Sequence, residues 1–146
     1  MIFFTRDIYL RMQTPSRRPT QAEREWLQQE CIYKKYLKLI SPRLPPALTR
    51  LARAGLHDAL VLSARQSQEC LVLTIDTSNA LGAFRRPRPL KLVFQNVLHR
   101  VDNKALRGAW WVQEEVHLSN HRKFTLNVLF HQSELELEAD SLRISS

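Results

Sequence analysis

The stretch Leu56–Thr77, LHDALVLSARQSQECLVLTIDT, decides the fold. From Leu56 onward the apolar residues recur with a period of two, the spacing of a strand with one buried face. Two runs, 56–65 and 70–77, flank the polar segment Gln66–Glu69, which predicts a β-hairpin. Three further runs repeat the pattern, at 90–98 (LKLVFQNVL), 109–118 (AWWVQEEVHL) and 123–131 (KFTLNVLFH). The run 134–144 (ELELEADSLRI) alternates most cleanly, with Glu134, Glu136, Glu138 and Asp140 opposite Leu135, Leu137 and Ala139. One wet and one buried face is antiparallel-sheet behaviour, and connections this short favour a meander over parallel crossovers.

Upstream of that stretch the period is helical. Thr20-Gln21-Ala22-Glu23 has the form of a capping box. Trp26, Tyr33, Leu37 and Ile40 then follow at helical spacing, with Lys34, Lys35 and Lys38 off the stripe. Ser41-Pro42 ends that helix. A second, shorter one starts at Pro45-Pro46, turns Leu48, Leu51 and Ala52 inward and is capped by Gly55. Residues 1–10 read as a short strand leading into a helical stub, with the apolar Met1-Ile2-Phe3-Phe4 either that strand or a core-docking segment, and 14–19 as loop. The expected fold is one α+β domain over 1–146. A helical hairpin (1–55) packs on an antiparallel meander of about five or six strands (56–146).

Bulk properties bound the function. The 146 residues suit one domain, with 44% hydrophobic and 25% charged residues, a globular balance rather than a disordered one. Apolar runs fall far short of the ~20 residues of a membrane span, and Arg6 and Asp7 interrupt the apolar start too early for a signal segment. Cys31 and Cys70 are far apart and lack ligand-like spacing, so two reduced thiols and a cytoplasmic location are expected. The net charge of +8 is a gradient: +7 over residues 1–55, +4 over 56–108 and −3 over 109–146. A basic half suits nucleic acid, an acidic protein, or the acidic last strand of a second copy in a homodimer.

Several segments resemble a bacterial family catalogued as a domain of unknown function, number 4085 in that series. They are FFTRDIYLRMQ, PRLPPAL, LHDALVL, AWWVQEEVHL and FTLNVLF with ELELEA. The resemblance implies a fold and a bacterial or phage origin, and it implies no mechanism. A looser likeness, at the level of fold, is to small bacterial immunity proteins.

Five features are candidates for function. Glu114 shares a strand face with Trp110, Val112, Val116 and Leu118, so it points a carboxylate toward the core. A place near a sheet edge, or an ion pair with Arg107, is the structural alternative. His57 and Asp58 form an acid/base pair or the start of a metal site, or else Asp58 satisfies loop amides and His57 packs half-buried; as strand neighbours they point to opposite faces. His117 lies with Glu115 at i, i+2 spacing, and His121 and His131 lie nearby in sequence, but no third ligand of a metal site is visible. Arg85, Arg86, Arg88 and Lys91 put four cations into eight residues, suited to a phosphate or an acidic surface or simply solvated. Trp111, on the face opposite Trp110, is either an interface anchor or covered by the helices.

No nucleotide-binding, metalloprotease or activated-serine motif is present. The expectation is therefore a non-enzymatic protein-binding domain of immunity or antitoxin type. It needs no cofactor or metal and acts through Trp111, the basic loop and the acidic last strand. A nucleic-acid-associated protein using the basic half is the alternative, and a small-ligand or metal site around Glu114 comes third.

Overall fold

The computed structural model describes residues 1–81, 84, 89–98 and 100–146. Its elements run in the order α1 (Arg6–Met12), α2 (Gln21–Ile40), a 3-10 turn (Ser41–Arg43), α3 (Pro46–Ala54), β1 (Leu60–Ser67), β2 (Cys70–Asp76), β3 (Leu90–Gln95), α4 (Asn103–Leu106), β4 (Trp111–His117), β5 (Phe124–Phe130), β6 (Glu134–Ala139) and β7 (Ser141–Ser145). The α+β class is as expected. The single meander is not. The strands form a four-stranded sheet, β1-β2-β3-β7, and a three-stranded sheet, β4-β5-β6, all antiparallel.

The physical reason for two sheets lies at Asp140. The run read as one strand, 134–144, breaks there into β6 and β7, so β6 pairs with β5 while β7 crosses to pair with β3. Strands that bend from one sheet into another make the corners of such packings. The Asp140 carboxylate holds the corner, accepting from the Lys123 amide at 3.1 Å and the Asn96 side chain at 3.0 Å. On the opposite side the start of β1 meets the start of β4. Leu60 bridges Trp110, and the Val61 amide donates to the Ala109 carbonyl at 3.0 Å.

Both inner faces share one core. Leu71, Leu73, Ile75, Leu92 and Phe94 come from the first sheet, and Phe124, Leu126, Val128, Phe130, Leu135 and Leu137 from the second. Alternation did its work here: in β3 the exposed Lys91 and Gln95 flank buried Leu90, Leu92 and Phe94.

The helices are not a hairpin laid on one sheet face. The α2 capping box forms as the sequence predicts, with the Thr20 hydroxyl accepting from the Glu23 amide and the Glu23 carboxylate accepting from the Thr20 amide. Tyr33, Leu37 and Ile40 are its buried stripe. α2 packs on α1 and β4, while α3 touches β4 and β7 and so spans between the two sheets. α1 and the N-terminal segment cover the outer face of the three-stranded sheet, where Tyr9, Val112 and Leu129 form a second small cluster. The expected strand within residues 1–10 does not form: residues 2–4 carry no strand, and α1 begins at Arg6. The two cysteines are free, Cys31 on the surface and Cys70 half-buried. No helix among the described residues is long and apolar enough to cross a membrane.

Candidate functional site

The site grows from an irregularity in β4. Trp111 pairs with Phe130, and Gln113 pairs with Leu129, so two steps along β4 match one along β5 and Val112 is the extra residue of a β-bulge. A bulge shifts the side-chain phase by one. Trp111, Glu114 and Val116 therefore join the core, while Val112, Glu115 and His117 fall on the outer face with Asn127 and Leu129. This corrects the strict alternation expected of residues 109–118. Glu114 does point inward, as that pattern predicts. Trp111, expected on the opposite face either as an interface anchor or under the helices, is instead buried in the core against Phe130, and the exposed tryptophan is Trp110.

Glu114 is 2% exposed. Its Oε2 accepts from the Trp111 indole N–H at 2.6 Å, and the backbone amides of Leu56 and of Glu114 itself also donate to the carboxylate. Burial outweighs these three donors and pushes its pKa up to about 7. The ion pair with Arg107 does not form, and no described cation pairs with Glu114. Gly55, the C-cap of α3, takes a left-handed φ of +69° that favours glycine, and a Cβ there would only touch Glu114 Oε1, at 3.7 Å.

A cavity of about 460 Å³ opens over this carboxylate. Phe4, Tyr33 and Leu37 form its apolar wall, with Gly55 and Gln113 beside the acid. The exposed Lys34, Lys38 and Arg53 form its rim. Lys34 is engaged by Glu30 at 2.5 Å, whereas Lys38 and Arg53 carry no salt bridge among the described residues.

One wall of the cavity is held by the neighbouring carboxylate. Glu115 is fully buried and accepts from three successive amides, Ile2 at 2.8 Å, Phe3 at 2.7 Å and Phe4 at 2.5 Å. His117 Nε2 donates to it at 3.0 Å, and His117 Nδ1 lies 3.1 Å from the Tyr36 hydroxyl. Burial alone would raise the Glu115 pKa, but His117 and the three amides more than offset it and the net shift is downward. Phe4, fixed in this way, packs on Trp26 and Tyr33 with ring centroids 4.9 and 5.4 Å apart. Sequence periodicity placed Glu115 on a polar face and missed this latch. Only the apolar pair Phe3-Phe4 hinted that the N-terminal segment docks.

The remaining candidates are structural or lie elsewhere. His57 and Asp58 are in a turn before β1 rather than on a strand, 3.7 Å apart, and both tie down the bulge. The His57 Nδ1–H donates to the Val112 carbonyl at 2.6 Å and the Asp58 amide to the Trp111 carbonyl at 2.9 Å. Asp58 adopts φ 64°, a left-handed conformation no strand permits. His131 lies tilted against Tyr9, with ring centroids 5.9 Å apart, and no three His, Cys, Asp or Glu residues are grouped to hold a metal among the described residues. Lys91 is exposed on β3, while Arg85, Arg86 and Arg88 lie outside the described residues.

No curated protein and no solved structure matches the chain. A family model does, described as protein of unknown function (DUF4085), over residues 3–138, which takes in every element from α1 to β5, nearly all of β6 and both carboxylates of β4. By that match the chain belongs to this family, and the resemblance seen in its sequence is a true membership.

Proposed function

We propose that this domain binds a small molecule in the cavity above Glu114. The observation that carries the reading is a buried carboxylate, paired with no cation among the described residues, lining a cavity of about 460 Å³ that also has Phe4, Tyr33 and Leu37 in its wall. That volume is typical of ligand sites, where a few polar groups set orientation within an apolar wall. A carboxyl with a near-neutral pKa is an uncommon structural element, because desolvating it costs stability that a hydrophobic residue would not. Among the described residues no other acid/base group of the lining hydrogen-bonds Glu114, which favours binding over catalysis as the reading.

A ligand-observed NMR screen of a fragment library tests this, run on the wild-type protein and on Ala54→Trp, which fills the mouth of the cavity. Hits that disappear in the variant support the pocket. A hit list that the variant leaves intact contradicts it.

A protein-binding role of immunity type is the second reading, now carried by Trp110, 37% exposed beside a groove lined by Arg107, Gly108, His131 and Ser133. Partly exposed tryptophans are favoured interface anchors. Nucleic-acid binding would instead use Arg50 and Arg143, which share a surface depression between α3 and β7. It would weaken steeply with salt, as association centred on Trp110 would not.

A further inference from the structure

We infer that the pocket selects dipolar ligands, molecules with a cationic head seated on Glu114, an anionic tail at Lys38 and Arg53, and a short apolar body between. The inference rests on the reading of the cavity as a ligand site. It follows from where charge is left uncompensated. At the inner end, Glu114 accepts from an indole N–H and backbone amides, all neutral donors, and pairs with no cation among the described residues. At the mouth, Glu30 answers Lys34, which leaves Lys38 and Arg53 without a carboxylate among the described residues. The stretch between these ends is lined by Phe4, Tyr33 and Leu37.

A ligand carrying only an anion would meet the rim cations but leave Glu114 unanswered beneath it. A simple amine would answer Glu114 but pass through the cationic rim with nothing to offer it. A molecule with both ends satisfies both, and burying a paired charge avoids the penalty of an unpaired one. Ligand and protein charges then run antiparallel along the cavity axis, which also fixes which end enters first. Amino acids with the amine remote from the carboxylate, and amino-alkyl phosphates, are the two chemical families that fit.

The binding carries a proton signature. An ammonium against Glu114 favours its ionised form, so the fraction of Glu114 that is protonated before binding gives up its proton. With a free-state pKa of about 7, affinity rises with pH through neutrality and then levels off.

Isothermal titration with ε-aminocaproate, caproate and hexylamine separates the possibilities, with γ-aminobutyrate as a shorter dipolar probe. The expected result is that ε-aminocaproate or γ-aminobutyrate binds at least about tenfold tighter than either singly charged control. Glu114→Gln, an isostere that still accepts from Trp111, should remove that advantage and the pH dependence together. Arg53→Ala with Lys38→Ala should weaken the dipolar probes and caproate without weakening hexylamine. If caproate binds as tightly as ε-aminocaproate and Glu114→Gln changes nothing, the dipolar inference is overturned. So is it if none of the probes binds at millimolar concentration. In either case the fragment screen with Ala54→Trp reports separately on whether the cavity is a site at all. If the probes bind but Ala54→Trp leaves their affinities unchanged, it is the pocket reading that has failed.

Discussion

Two adjacent carboxylates on one strand have their pKa values shifted in opposite directions. Glu114 keeps neutral donors and loses water, so its pKa rises from 4.5 to about 7. Glu115 gains His117 and three amides, so its pKa falls. The consequences for stability have opposite signs. For Glu114, folding favours the protonated form. Its contribution therefore declines as pH rises from the unfolded value of 4.5 to the folded value of about 7, by ~3 kcal/mol in total. Glu114→Gln should accordingly be neutral to mildly destabilising near about pH 5 and stabilising near about pH 8, in urea denaturation. For Glu115, folding favours the ionised form, and its contribution is present above the unfolded pKa and lost as pH falls through the depressed folded one. Glu115→Gln should cost about 2–4 kcal/mol at neutral pH, and that deficit should shrink in acid. A flat difference across the pH range would contradict either assignment.

The inward aim of Glu114 was legible in the sequence, because one residue on an apolar face is visible to simple alternation. The identity of the buried tryptophan was not, since a bulge changes the phase and leaves no mark on composition. Val112 is an ordinary strand residue, and only the pairing of β5 against β4 reveals that it is surplus.

Among elements, β4 carries the main structural problem of the fold. It is an edge strand of the three-stranded sheet, and beyond its first residues β1 no longer covers it. Unpaired edge amides are a liability, and here side chains satisfy them. The Tyr33 hydroxyl accepts from the Val116 amide at 2.8 Å, and the Tyr36 hydroxyl accepts from the Leu118 amide. Both tyrosines come from α2, so docking this helix and protecting this edge are one act. Desolvation in this contact pushes the pKa of both phenols up. Tyr33→Phe should cost about 1–3 kcal/mol by leaving a buried amide without a partner, and should speed hydrogen exchange at Val116. An unchanged exchange rate there would contradict the role given to the hydroxyl.

The helical stripe that buries Tyr33 was readable from its spacing, as was the capping box. The use of the hydroxyl was not, because periodicity reports which side chains are inward and not what their polar ends meet. The same limit applies to β6 and β7. Alternation ran unbroken through Asp140 in sequence, while the corner there depends on partners that come from distant Asn96 and Lys123.

At the scale of the molecule, the two sheets share a single core that also takes in Tyr33, Leu37, Leu48 and Leu51 from the helices. No part of this core is separable, so unfolding should be a single cooperative transition, with far-UV and near-UV circular dichroism melting together. Two resolved transitions would show that helices and sheets are independent units. The charge gradient was legible at once from the sequence, but its meaning depended on placement. Lys34, Lys38 and Arg53 sit over a carboxylate-floored cavity rather than on a featureless basic face. Sequence could not bring them there, since α2, α3 and β4 meet only through tertiary packing.

On the proposed reading, Glu114 ends a ligand pocket as a desolvated carboxyl with no cation paired to it among the described residues. Carbon-detected NMR titration of the Glu114 side-chain carboxyl is the decisive measurement. The expected midpoint is about pH 7, moving down when ε-aminocaproate is bound. A midpoint near the ordinary value of 4.5, indifferent to the ligand, would mean that the carboxylate is hydrated or paired, and would contradict the pocket as described.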